Sequence, residues 1–141
     1  MNNLVSVVIP NFNYGNYISQ AIDSVLAQDY KEIEIIVVDG GSTDNSLEIL
    51  RGYGSKIISI ENANWGAPIA RNFGLMRSTG ELVAYLDADD YWLPTKISKQ
   101  IDLMEKLNVD MVYCQMAVLD ERGTITPLST NQNLEISGLT F

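Results

Sequence analysis

Asp87-Ala88-Asp89-Asp90 puts three carboxylates into four residues, directly after the apolar run Leu82-Val83-Ala84-Tyr85-Leu86. Like charges this close raise one another's pKa unless a cation sits among them. Hard divalent ions such as Mn2+ or Mg2+ take one or two protein carboxylates together with the oxygens of a substrate diphosphate. A plainer reading is a solvated acidic loop that caps a helix opening at Pro94. Asp39 is the second position of interest. It ends the run Ile35-Ile36-Val37-Val38, and Gly40-Gly41 behind it let the chain turn sharply and approach a ligand closely. Its carboxylate can accept the N3–H of a uracil, or only the backbone N–H groups of its own turn. Arg71 is the third, placed near a helix start where anions are favoured; a surface ion pair is its alternative role. Asp44 reads as first-turn helix capping. Pro10 and Phe12 are placed to shape the mouth of a base pocket. Tyr85, Tyr91 and Trp92 flank the acidic cluster and read as packing residues.

Other chemistries are removed by what the chain lacks. Histidine is absent and there is a single cysteine, which excludes Cys/His metal sites, the commonest general base and every Ser-His or Cys-His nucleophile pair. Any acid–base or metal work therefore falls to carboxylates. Cys114, in the run Met111-Val112-Tyr113-Cys114, is expected to be a reduced core thiol. A formal net charge of −9 argues against nucleic acid as a partner. It also means that a diphosphate needs a cation or a local donor array to be held. Hydrophobic residues at 46% and charged residues at 19% fit a folded globular chain. The apolar runs are too short to span a bilayer, and the start lacks a basic signal region. A cytoplasmic location with no transmembrane segment is the resulting expectation.

The elements that must position these residues follow from hydrophobic period. Residues 4–10 and 33–39 read as strands buried on both faces, and 56–61 as a third strand. Residues 82–86 form a fourth, also buried, whose end carries the acidic cluster. Tyr17, Ile18, Ala21, Ile22, Val25 and Leu26 recur at helical spacing, predicting a helix over 14–28. Ser42 or Thr43 can cap a helix that runs to Arg51. Pro68 suits the first turn of a third helix, with Ile69, Ala70, Phe73 and Met76 as its apolar stripe. Pro94 opens a fourth, with Ile97, Ile101, Met104 and Leu107 facing inward. Residues 110–114 begin a fifth strand, and 118–126 read as a hairpin turning at Asp120-Glu121-Arg122-Gly123. Alternating strands and helices predict a single α/β domain over residues 1–141, a mostly parallel sheet with helices on both faces, ending in a β-hairpin. Such sheets bind ligands at the carboxyl ends of their strands, where Asn11, Asn13, Asp39 and Asp87–Asp90 gather. The opposite edge shows ordinary turn residues.

Four segments in register resemble the inverting family-2 glycosyltransferases of the GT-A, Rossmann-like fold. They are Val5-Ser6-Val7-Val8-Ile9-Pro10 with Asn13; Ile35-Ile36-Val37-Val38-Asp39-Gly40-Gly41-Ser42-Thr43-Asp44; Asn64 and Gly66 with Ala70-Arg71-Asn72-Phe73-Gly74; and Gly80-Glu81-Leu82-Val83-Ala84-Tyr85-Leu86-Asp87-Ala88-Asp89-Asp90. The resemblance implies a nucleoside diphosphate sugar donor, commonly UDP-linked, and a saccharide or lipid-linked acceptor. Donor-nucleotide contacts are implied for Pro10, Phe12, Asp39, Arg71, Asp87 and Ala88. Asp89 is implied as the principal ligand of a Mn2+ or Mg2+ ion, with Asp87 against the ribose or the metal-bound diphosphate. Family members take their catalytic base from a segment well beyond this acidic motif. No candidate base stands in this chain, so it is expected beyond Phe141, and the chain is expected to be an N-terminal part of a longer enzyme. A role in bacterial surface polysaccharide synthesis at the inner face of the membrane is a family-level expectation.

Two other enzyme classes fit less well. A nucleotidyltransferase would carry basic residues in the loop after the first strand, and Pro10-Asn11-Phe12-Asn13-Tyr14-Gly15 has none. A dehydrogenase would show G-x-G-x-x-G there. A receiver-like signalling module would place an acidic pair where Asn11 and Asn13 stand. A nucleotide-sugar-binding module without turnover remains open.

Overall fold

The computed structural model describes residues 4–61, 66–120, 122 and 124–127. Expectations resting on Asn64, Trp65, Glu121 and Gly123 lie outside the described residues. The chain divides into two compact units, Met1–Ile97 and Ser98–Phe141.

The first unit is built on a four-stranded parallel sheet in the order β3-β2-β1-β4. Its strands are β1 (Val5–Asn11), β2 (Ile33–Asp39), β3 (Ile58–Glu61) and β4 (Leu82–Tyr85). The helices are α1 (Ile18–Leu26), α2 (Ser46–Gly52) and α3 (Ala67–Arg77), and α4 (Lys96–Leu107) runs across the division. β1 and β2 are apolar at nearly every position because both faces are covered. Ile36 and Val38 meet Ala70 of α3 on one face. Val7, Ile9, Ile35 and Val37 alternate onto the other and are just as buried. β4 pairs only with β1 among the described strands and is half-buried, with Tyr85 exposed. The acidic cluster thus follows an edge strand rather than a buried one.

Several local expectations shift for identifiable reasons. α1 starts at Ile18, not 14: residues 15–17 form a turn in which the Tyr17 and Ile18 N–H groups both return to Tyr14 O, and Tyr17 leaves helical geometry at φ −121°. α2 starts at Ser46, since Ser42 is drawn into hydrogen bonds with Asp39 and Asn13 and cannot cap it. Residues 54–56 form a short 3-10 turn ahead of β3. α3 does not bury Ile69 or Met76; Met76 is 79% exposed and the buried positions are Ala70 and Gly74. Close approach decides this. A Cβ on Gly74 would lie 2.3 Å from Val8 Cγ1, so helix and strand meet backbone to side chain. Gly74→Ala gains up to about 1 kcal/mol of helix propensity. It also forces a methyl against a stiff, fully buried valine, at about 1–3 kcal/mol. Overpacking wins, and a thermal melt is expected to show Gly74→Ala below wild type; a more stable variant would contradict this packing.

The amino edge of the sheet is tied by one carboxylate. Glu34 Oε1 accepts the Ser6 hydroxyl and the Thr79 N–H at 2.6 Å, and Oε2 accepts the Thr79 hydroxyl at 3.0 Å. This links the starts of β1 and β2 to the turn before β4. Burial pushes the Glu34 carboxyl up, but the donors Ser6, Thr79 and Gly80 outweigh it and hold it below its ordinary 4.5. A folded-state pKa below the unfolded one contributes stability fully above the unfolded value and loses it as pH falls through the folded one. The destabilisation caused by Glu34→Gln is therefore expected to be largest above pH about 5 and to shrink in melts at progressively lower pH. A pH-independent difference would contradict the assignment.

In the second unit, β5 (Ala117–Leu119) and β6 (Ile125–Pro127) pair antiparallel. Asp120 Oδ1 accepts the N–H groups of Arg122 at 2.9 Å and Thr124 at 2.8 Å and closes the turn. The hairpin is as the alternation predicts. The fifth strand over 110–114 is absent: among the described residues nothing pairs with it, and Met111, Tyr113 and Cys114 are exposed. An apolar run becomes a buried strand only where a neighbour supplies its ladder, and here none does. Along α4, Ile97 and Ile101 are buried, Met104 is half-buried and Leu107 is exposed.

Candidate functional site

Chain order reverses between β1 and β4, so the crevice outside their carboxyl ends is the place where such sheets hold ligands. Asn11-Phe12-Asn13 flanks it on one side and Asp87–Asp90 on the other.

The β1 and β2 ends are locked together. Asp39 is 0% exposed and opposite Asn11 in register. Its Oδ1 accepts the N–H groups of Gly41 at 2.9 Å and Ser42 at 2.7 Å. Its Oδ2 accepts Asn11 Nδ2 at 2.6 Å and the Ser42 hydroxyl at 2.7 Å. Gly41, at φ 93°, supplies the turn that brings these donors round. One turn further, Asn13 Oδ1 accepts the Thr43 N–H at 2.7 Å, and the Asn13 N–H donates to Ser42 Oγ at 2.8 Å. Asp44 ties the next pair, accepting Gly15 N–H at 2.8 Å and Ser46 N–H at 2.9 Å. The neighbouring Ser46 hydroxyl, close by but outside hydrogen-bond geometry, and the Ser46 and Gly15 amides hold the Asp44 carboxyl below its ordinary range against the opposing effect of burial. Two loops that would otherwise move independently form one rigid rim. It carries Phe12, 52% exposed, at its tip, while Pro10 is buried within β1.

The geometry thus gives Asp39 the turn-building role among its two sequence readings. Its four acceptor positions are already taken, and a base reaching it would have to displace one of them. Asp44 stands ahead of the Asn45 N-cap rather than in the first turn of α2, and it braces the rim and the helix start through the Gly15 and Ser46 N–H groups. Asn11 and Asn13, which the sequence places on the ligand edge without a partner, and Ser42, read there as a helix cap, are the neighbours that join Asp39 in this rim. Their signal was present in the two asparagines after Pro10 and the serine after Gly41, but only the register of β1 on β2 shows that they meet.

Across the crevice, Arg71 of α3 forms an ion pair with Asp87, both partly exposed. Asp90 N–H bonds back to Asp87 O at 3.0 Å, folding the acidic cluster into a turn, and Ala88 is buried beneath it. Burial first, then the charges of Asp89 and Asp87, push the Asp90 carboxyl above its ordinary range. Asp89 is exposed and has no hydrogen-bond or ion-pair partner among the described residues. Trp92 is buried under the Lys96 ammonium at 4.0 Å, a packing residue as expected. Tyr85 and Tyr91 are exposed.

The donor set fits a hard divalent cation. An excess of negative charge with two carboxylates, Asp89 and Asp90, unpaired is the chemistry such an ion neutralises. Among the described residues no three acidic, cysteine or histidine side chains converge on one point. The described residues alone would offer such an ion only a partial shell.

Residues 6–138 match the family model for glycosyl transferase family 2. An uncharacterized glycosyltransferase of Rickettsia typhi is 45% identical over 122 residues, covering 85% of this chain and 38% of the relative. A UDP-Glc:alpha-D-GlcNAc-diphosphoundecaprenol beta-1,3-glucosyltransferase of Escherichia coli is 44% identical over 113 residues, covering 78% and 45%. Among solved structures, Staphylococcus aureus TarS 1-349 in complex with UDP-GlcNAc superposes with a TM-score of 0.71 at 30% identity, over 76% of this chain and 32% of that one. A mannosyltransferase from Pyrobaculum calidifontis in complex with GDP-Man and Mn2+ gives 0.70 at 27% identity, over 76% and 34%. The chain thus spans less than half the length of each of these proteins.

Proposed function

The chain belongs to glycosyl transferase family 2 and has the GT-A fold, and from that premise we propose that it forms the donor-binding part of an inverting, metal-dependent glycosyltransferase using a UDP-linked sugar. The observation that carries the proposal is Asp89, an exposed and unpartnered carboxylate at the β1/β4 crevice beside the Arg71–Asp87 pair. Support for the donor comes from a relative whose name specifies UDP-Glc and from a neighbour holding UDP-GlcNAc. Support for a metal comes from the neighbour holding Mn2+ together with the partial carboxylate shell.

In this reading Asp89, with Asp87 beside it, holds a Mn2+ or Mg2+ ion, which when bound supplies positive charge to the departing diphosphate. Arg71 orients Asp87 and places a second cation at the phosphate side of the crevice. Phe12 offers its exposed ring to the base from a rim that Asp39 and Asp44 keep rigid, so little ordering is left to occur on binding. Ala88 and Pro10 shape the walls. The base that deprotonates the acceptor hydroxyl is assigned to chain beyond Phe141. Nucleotide binding without turnover is the second reading, favoured because no described carboxylate outside the acidic cluster faces this crevice as a candidate base. The acceptor is proposed to be a saccharide carried on a lipid diphosphate, as the E. coli relative's name specifies for that enzyme. No helix among the described residues is long and apolar enough to cross a membrane.

The test is stereochemical. The full-length protein, given an α-linked UDP-sugar and Mn2+, is expected to yield a β-linked product by proton NMR of the new anomeric centre. An α-linked product would overturn inversion, and sugar transfer undiminished in excess EDTA would overturn metal dependence.

A further inference from the structure

The stretch that carries the acidic cluster is held at both ends. Before it, the Leu86 N–H donates to Val8 O of β1 at 3.1 Å. Just after Asp90, the Trp92 N–H donates to Ser24 Oγ of α1 at 3.1 Å. Further bonds tie the next residues to the same helix end. Gln28 Nε2 donates to Leu93 O at 2.8 Å, and the Asp29 N–H to Pro94 O at 2.9 Å. Gln28 Oε1 accepts the Ile97 N–H at 3.1 Å, one of the orphan donors in the first turn of α4. Gln28 Nε2 spends its other proton on Ser24 O at 3.0 Å, so the two side chains form one clasp. The amide cannot be turned over, because its oxygen would then face two carbonyls. Packing alone does not explain a glutamine here. Gln28 continues the buried stripe Ile18, Ala21, Ile22 and Val25 just past the end of α1, and it is 1% exposed. A leucine would fill such a place without the desolvation that a buried amide costs. Two of the three side-chain bonds that offset this cost run to the segment behind the acidic cluster.

We propose that Ser24 and Gln28 are positioning residues for the acidic cluster, holding the far end of the Asp87–Asp90 turn so that its carboxylates present their oxygens to one cation. The inference rests on the metal-dependent reading above and deepens it, since neither residue is itself a ligand. Three carboxylates in four residues repel and tend to spread the turn that the Asp90 N–H closes on Asp87 O. The clasp opposes that spreading from α1, a helix that contributes no carboxylate to the cluster. Outer supports of this kind are worth about 10- to 100-fold in metal affinity.

The experiment titrates Mn2+ into the full-length protein with excess UDP, against a protein-free blank, and reads binding by electron paramagnetic resonance. Ser24→Ala gains helix propensity yet removes the acceptor of the Trp92 N–H, and it is expected to weaken Mn2+ about tenfold or more. Gln28→Leu is expected to weaken it at least as far, and Ser24→Ala carries the test should that buried substitution prevent folding. Ser24→Thr keeps the hydroxyl and restores wild-type affinity. Glu34→Gln, which lowers stability at the opposite edge of the sheet, leaves Mn2+ affinity unchanged. Wild-type affinity in Ser24→Ala overturns the proposal, and so does a Ser24→Thr variant as weak as Ser24→Ala. An equal loss in Glu34→Gln overturns it as well, because the effect would then be one of general stability. Absence of Mn2+ binding by wild type with UDP would instead overturn the metal-dependent reading itself.

Discussion

Asp89→Ala is expected to abolish the Mn2+-dependent stabilisation of the chain by UDP while leaving its unliganded melting temperature within about 2 °C of wild type. The two halves of that result come from the same facts. Asp89 is exposed and bonded to nothing among the described residues, so folding loses nothing when it goes. Its removal even relieves the charge that helps to push Asp90 up. Binding, in contrast, loses one of the two carboxylates free to meet a cation, and the other, Asp90, is held above its ordinary range by burial and by its acidic neighbours. A ligand at 100 times its Kd stabilises by about 2.7 kcal/mol, and a hundredfold loss of affinity reduces that to about 0.4 kcal/mol. A thermal shift assay resolves the difference. UDP stabilisation that survives Asp89→Ala would show that the acidic cluster is a solvated loop after all.

Asp39→Ala should do the reverse. It strips the partner from Gly41 N–H, Ser42 N–H, Asn11 Nδ2 and the Ser42 hydroxyl at once, most of them buried. At about 1 kcal/mol or more for each buried donor left unmade, the cost is roughly 3 kcal/mol or above. For a chain of this size that lowers the melting temperature on the order of 10 °C. UDP binding falls too, because Phe12 loses the rim that holds it. A stable Asp39→Ala variant with weakened UDP binding alone would mean that Asp39 serves the ligand directly rather than the loop. The pair of substitutions separates the two sides of the crevice, one acting on binding alone and one on the scaffold and, through it, on binding.

Much of the parallel sheet was legible in the sequence, because strands buried on both faces leave continuous apolar runs. β2 comes out with its predicted limits, Ile33–Asp39. The hairpin was legible because Asp120 and its neighbours carry turn chemistry. Three features were not. The contact face of α3 is a glycine against Val8, and hydrophobic periodicity looks for large residues, so it selected Ile69 and Met76 instead. The run around Cys114 has strand composition, but a strand also needs a partner, and composition says nothing of where one is. The acidic cluster and Arg71 were visible as residues with chemistry, and the structure adds that Arg71 pairs with Asp87 and leaves Asp89 and Asp90 unpaired. At Asp39 the sequence permitted a ligand contact or a turn anchor. Only the count of donors around its two oxygens distinguishes them, and that count depends on Asn11 and Ser42, 28 and 3 residues away.

The acidic cluster at the β1/β4 crevice, completed by a ligand's own oxygens, is the centre of the account. Calorimetric titration of UDP into the full chain, once in Mn2+ and once in excess EDTA, tests it most directly. Binding in Mn2+ that weakens at least about tenfold in EDTA is the predicted result, since a partial carboxylate shell cannot hold a diphosphate against a net charge of −9. Equal affinity in both buffers would contradict the account.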